Sequence, residues 1–93
     1  MIDKQQVLDR LSSVGVVPVV RAESADHVVR AVEALAEGGI PVAEITMTVP
    51  GAVEVIRRCA AHFGERVTLG AGSVTAAAVC DEVIDAGAVF VVS

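Results

Sequence analysis

The sequence predicts an α/β chain of parallel β/α units behind an N-terminal helix. Two observations carry this. Short apolar runs rich in β-branched residues begin near residues 16, 41, 67 and 88, and stretches of helical periodicity lie between them. Strands that alternate with helices in this way pair in parallel through right-handed crossovers.

Residues 3–13 read as a polar amphipathic helix, with Val7, Leu8 and Leu11 at helical spacing and Gly15 as the stop. Residues 16–20, Val-Val-Pro-Val-Val, read as the first strand. Pro18 removes a ladder donor, so a distortion is expected there. Ser24 is a natural N-cap with Asp26 in the first turn, followed by the stripe Val28, Val32, Leu35 and Ala36 and the stop Gly38-Gly39. Residues 41–47 alternate: Ala43, Ile45 and Met47 point one way, and Glu44, Thr46 and Thr48 the other.

Pro50 suits a helix's first turn, and Val53, Ile56, Ala60 and Phe63 form the next stripe before Gly64. Residues 67–71 read as the third strand. Thr75 is the expected cap of a helix carrying Val79, Val83 and Ile84, which Gly87 ends. Residues 88–92 read as the fourth strand.

Composition narrows the function. The 93 residues form one domain without linker, repeat or low-complexity stretch, well short of the roughly 200 residues of a whole barrel of this kind. With 54% apolar and 20% charged residues the chain is not disordered. A net charge of −5, no basic block and neither Trp nor Tyr argue against a nucleic-acid partner. No apolar run approaches a membrane span, and the N-terminus lacks the apolar core of a secretory signal, so a cytoplasmic protein is expected. Cys59 and Cys80 form no C-x-x-C pair and read as packed thiols; with His27 and His62 isolated, neither metal nor cofactor is expected.

The polar residues are arranged more tellingly. If helices cover one face of the sheet, the other carries Val17, Val19 and Arg21; Val42, Glu44, Thr46 and Thr48; Leu69, Ala71 and Ser73; and Val89, Val91 and Ser93. All four strands then end polar at their C-terminal ends, where β/α barrels keep their active sites. Glu44 stands out, because it lies inside a strand, between Ala43 and Ile45. A carboxylate there is costly unless it is paired or used. Gly70-Ala71-Gly72-Ser73 lacks the third glycine of a dinucleotide loop and the Gly-Lys-Ser of a P-loop. It reads as close backbone approach beside a ligand, or as tight packing at a strand end.

Several segments, in order, resemble one family. They are Val16-Val17-Pro18-Val19-Val20-Arg21-Ala22, Gly38-Gly39-Ile40, Glu44-Ile45-Thr46-Met47-Thr48-Val49-Pro50, Leu69-Gly70-Ala71-Gly72-Ser73-Val74 and Ala86-Gly87-Ala88-Val89-Phe90-Val91-Val92-Ser93. Their order and spacing are similar to the N-terminal half of the 2-keto-3-deoxy-6-phosphogluconate (KDPG) and 4-hydroxy-2-oxoglutarate aldolases. The resemblance implies the first half of a TIM (β/α)8 barrel, usually trimeric, in a class I aldolase. In such an enzyme a lysine on the sixth strand forms a Schiff base with pyruvate, and no cofactor is needed.

Residue by residue, the resemblance makes Glu44 the acid/base that moves protons through a bound water. It places Arg21, Thr48 and Ser73, with Gly72, around the pyruvate carboxylate. Thr48 stands where some members have Arg, so Arg21 is expected to supply the cation; Ser73 keeps the hydroxyl of a commoner Thr. The substrate implied is a small keto acid or keto-acid phosphate. Lys4 is this chain's one lysine and lies in the N-terminal helix, so the Schiff-base lysine and the phosphate site belong to residues beyond 93, and the chain alone is expected to be inactive. Other readings are a truncated or engineered half barrel that associates through its open face, or a carboxylate binder without turnover.

Overall fold

A computed structural model describes residues 2–93. The chain runs α1 (Lys4–Val14), β1 (Val19–Val20), α2 (Ala25–Glu37), β2 (Val42–Thr46), α3 (Ala52–Phe63), a 3-10 turn (Gly64–Arg66), β3 (Thr68–Gly72), α4 (Ala77–Ala86) and β4 (Phe90–Val92). The four strands form one sheet in the order β1-β2-β3-β4, and every neighbouring pair is parallel. Among the described residues no helix is long and apolar enough to cross a membrane.

Local chemistry sets the helix ends. At α1, Asp3 Oδ1 accepts from the Gln6 N–H and Gln6 Oε1 accepts from the Asp3 N–H, each at 2.9 Å. Gly15 closes α1 in the left-handed region at φ 82°, a conformation glycine adopts without steric cost. Ser24 Oγ caps α2 by accepting from the His27 N–H at 3.2 Å. Two expected starts lie elsewhere. Pro50 stands just outside α3, whose N-cap is Gly51, and Ala76 rather than Thr75 is the N-cap of α4.

Pro18 shortens the first strand from the expected 16–20 to two residues. Its carbonyl still accepts from the Glu44 N–H at 2.9 Å, but it has no N–H to donate, and Val16 and Val17 lie exposed outside the ladder.

Helices α2, α3 and α4 bury one face of the sheet. Val28, Val32, Ile56, Cys59 and Val83 pack there on Val20, Ala43, Ile45, Leu69 and Ala71. The expected faces of β3 and β4 are thereby corrected. Ala43 pairs with Leu69 and Ile45 with Ala71, so Leu69 and Ala71 lie under the helices, and Val91, opposite Ala71, goes with them. Val89, one pleat before Phe90, shares a cavity with Cys59, Phe63 and Leu69 on that same side. The other face carries Val19; Val42, Glu44 and Thr46; Thr68, Gly70 and Gly72; and Phe90 and Val92. Helix α1 sits at the N-terminal end of this sheet. Its Asp9, Arg10 and Ser13 border a cavity of about 440 Å³ together with Pro41, Val42 and Thr68.

Candidate active site

The face turned away from α2–α4 holds one carboxylate, Glu44, at the middle of β2. It is 7% exposed, and among the described residues its carboxylate has no hydrogen bond or ion pair. Its neighbours on β3 are the glycines. Glu44 pairs in register with Gly70, and Thr46 with Gly72. A Cβ at Gly72 would overlap the Glu44 carboxylate and stand 2.8 Å from Glu44 Cγ. The Glu44 side chain therefore leans one row toward the C-terminal ends of the strands and lies across Gly72. A Cβ at Gly70 would meet the Phe90 ring, 2.5 Å from Cδ2, so the Phe90 ring fills the neighbouring space.

The C-terminal end of β2 is pinned beside this carboxylate. The Met47 N–H donates to the Gly72 carbonyl at 3.0 Å, and the Val49 N–H to the Thr46 carbonyl at 3.0 Å. Buried Thr46 Oγ1 lies 3.2 Å from Thr48 Oγ1 and accepts from the Thr48 N–H at 3.4 Å. This turn orders an exposed hydroxyl, Thr48, above a buried one.

Arg21 follows Val20, the last residue of β1, whose partner is Ile45. The register carried one residue further sets Arg21 beside Thr46. Arg21 is exposed, and no hydrogen bond or ion pair holds it among the described residues.

Ser73 is exposed and carries φ 61°, the one non-glycine residue at positive φ among the described residues. It borders a different cavity, of about 400 Å³, formed with Met47 and Val49 of the β2–α3 loop and Thr75 of the β3–α4 loop. Helices α3 and α4 both begin at this edge without a side-chain cap. Their partial positive ends thus face the C-terminal side of the sheet.

Of the residues singled out in the sequence, Glu44 and Gly72 are in direct juxtaposition, and Thr48 touches the Thr46 next to them. Arg21 stands at the same edge, whereas Ser73 opens onto the loop cavity. Gly70 and Gly72 fit the tight packing expected of Gly70-Ala71-Gly72-Ser73, whereas the role of Phe90 was not foreseen. The usable signal was the pair of glycines two apart on one strand, which leaves a bare face for bulky neighbours to fill. Lys4 lies on α1 and borders a cavity with Gly87, Ala88, Val89 and Phe90, at the opposite end of the sheet from Thr46 and Thr48.

Two groups with displaced acidity lie apart from this cluster. The Arg58 guanidinium, 2.5 Å from Asp26 Oδ1, holds the Asp26 carboxyl below its usual range, and burial pushes the Cys59 thiol up. Among the described residues no three His, Cys, Asp or Glu gather to hold a metal ion.

Comparison with known proteins gives this geometry a family. Residues 7–93 match the family model described as KDPG and KHG aldolase. The 2-dehydro-3-deoxy-phosphogluconate aldolase of Pseudoalteromonas atlantica is 39% identical over 85 residues, covering 91% of this chain and 39% of the relative. The KHG/KDPG aldolase of Escherichia coli is 38% identical over 78 residues, covering 84% of this chain and 36% of the relative. The chain thus spans less than half the length of these relatives.

Among solved structures, the 2-keto-3-deoxy-6-phosphogluconate aldolase of Zymomonas mobilis with 3-phosphoglycerate superimposes with a TM-score of 0.83 at 30% identity, covering 98% of this chain and 43% of that one. The KDPG aldolase of Legionella pneumophila, with pyruvate captured as a covalent carbinolamine intermediate, gives 0.77 at 31% identity, covering 83% and 37%. The four parallel strands and their helices correspond to part of this TIM-barrel-like fold. On its sequence and its fold, this chain belongs to the KDPG and KHG aldolase family.

Proposed function

We propose that residues 1–93 are the acid/base half of a (β/α)8 class I aldolase barrel, which cleaves a 2-keto-3-deoxy acid phosphate or 4-hydroxy-2-oxoglutarate to pyruvate and an aldehyde. The observation that carries this is Glu44, a buried and unpartnered carboxylate on the face away from the helices, leaning toward the strand ends. The covalent carbinolamine of pyruvate in the Legionella relative supports carbonyl chemistry with an amine.

In this reaction a lysine from outside these residues adds to the C2 carbonyl and loses water, giving an iminium. Glu44 takes the C4 hydroxyl proton through water, and the C3–C4 bond breaks. Its electron pair moves into the iminium to form the enamine, and the aldehyde departs. Glu44 then returns the proton to C3, and hydrolysis frees pyruvate and the lysine. Arg21, Thr48 and Ser73 hold the pyruvate carboxylate by charge and hydroxyl donation, and Gly72 closes the floor of the pocket.

The proposal extends to a cytoplasmic enzyme without cofactor, assembled as a trimer or through the open sheet face on which Val19 and Val92 are exposed. Alone, the chain lacks the Schiff-base lysine and turns over no substrate. The test joins residues 1–93 to the second half of the Escherichia coli relative. With KDPG the fused barrel should release pyruvate, and borohydride with pyruvate should reduce a stable adduct onto a lysine. A folded fusion that forms no adduct and releases no pyruvate would refute the assignment.

A further inference from the structure

We propose that Gly72 is a positioning residue for Glu44, and that Phe90 sets where Glu44 lies by filling the space over Gly70. The catalytic part rests on the aldolase reading; the geometric part does not. Two rows are aligned on this face of the sheet. Glu44, Gly70 and Phe90 face one another across β2, β3 and β4, and the next row is Thr46, Gly72 and Val92.

An extended Glu44 would lie over its own partner, Gly70, but that space is taken by the Phe90 ring. The carboxylate goes instead over Gly72, one row nearer the strand ends, which brings it level with Thr46 and toward Thr48 and Arg21. Each glycine is thus a slot with a defined occupant. Glycines kept only for a tight turn or a flexible strand would not be occupied in this matched way. Neither Gly70 nor Gly72 is among the glycines at positive φ, so backbone conformation does not require them.

The consequence for catalysis is specific. A methyl group at position 72 forces the carboxylate away from the place where it meets the enamine carbon, a larger change than it makes to the pocket floor beneath pyruvate. Proton transfer should fall while Schiff-base formation persists.

Two measurements decide it. In the 93-residue chain, Gly72→Ala should lower the melting midpoint by about 5 °C or more, the cost of overpacking. In a Glu44→Ala background that loss should shrink to less than half, because the slot is then empty. Gly70→Ala should behave the same way with Phe90→Ala. Equal losses in both backgrounds would overturn the slot assignment.

In the fused barrel, Gly72→Ala should slow deuterium exchange into the pyruvate methyl group about 10–100-fold. Borohydride trapping of pyruvate should fall by a clearly smaller factor than exchange, and Gly72→Ala should add no further loss of exchange to Glu44→Gln. Parallel loss of trapping and exchange, or full additivity with Glu44→Gln, would overturn the positioning role. If the unsubstituted fusion neither traps nor exchanges, the aldolase reading fails while the melting experiment still decides the geometry.

Discussion

Replacing Glu44 with methionine should make the 93-residue chain more stable while removing the carboxylate on its open sheet face. Glu44 is 7% exposed, and its carboxylate meets no hydrogen-bond partner or cation among the described residues. A buried polar group left without a partner costs about 1–3 kcal/mol, and the Glu44 oxygens, which keep some contact with solvent on the open face, bear only part of that cost. Methionine keeps the unbranched length, tolerates an irregular slot and carries no charge to desolvate. The space over Gly72 that now receives the carboxylate would receive the thioether. The expected gain is up to about 1 kcal/mol, and for a domain of this size each kcal/mol moves the melting midpoint by about 4–8 °C. Thermal unfolding, followed by far-UV circular dichroism at neutral pH, should therefore show a rise of up to about 8 °C, with a matching increase of the urea midpoint. A methionine variant that melts at or below the parent would refute the reasoning, since it would mean that the carboxylate is satisfied where it lies.

Other expectations follow from the same packing and charges. Ile45 is fully buried beneath the helices, so Ile45→Ala should cost about 2–5 kcal/mol in urea unfolding. Asp26 is held below its ordinary acidity range by Arg58, so the pair adds stability above the unfolded-state value. That stability is lost as pH falls through the lower folded-state value. Melting curves of the parent and Asp26→Asn should thus differ slightly at neutral pH, less in high salt, and converge in acid. Cys59 is buried with its thiol pushed up, whereas Cys80 is half-buried. Iodoacetamide should alkylate Cys80 in the folded chain and reach Cys59 only on unfolding, as peptide mass mapping would show.

The sequence was most legible where polar and apolar residues contrast. In β2 the alternation of Ala43 and Ile45 with Glu44 and Thr46 fixed the buried and inward faces correctly. The capping groups of α1 and α2, Gly15 and Ser24, were legible for the same reason, since their chemistry is local. In β3 the expected inward set, Leu69, Ala71 and Ser73, follows one parity, but Ser73 has left-handed backbone and stands off the pleat. Parity cannot be carried through such a residue, and Leu69 and Ala71 fell on the wrong side. In β4 every residue from Val89 to Val92 is apolar, so period two has nothing to read. Phe90 was hidden for that reason, and with it the cause of Glu44's lean. Glu44 was visible because a charge inside a strand is conspicuous; the slots that place it depend on absent side chains of a neighbouring strand.

The central claim is that Glu44 is the group that carries the proton to and from substrate carbon. The most direct measurement is proton NMR of pyruvate in deuterium oxide with the fused barrel and its Glu44→Gln variant. The account predicts that the variant still forms the borohydride-trapped lysine adduct, while exchange of the methyl protons falls by about 100-fold or more. Methyl exchange that proceeds at the parental rate in Glu44→Gln would contradict it.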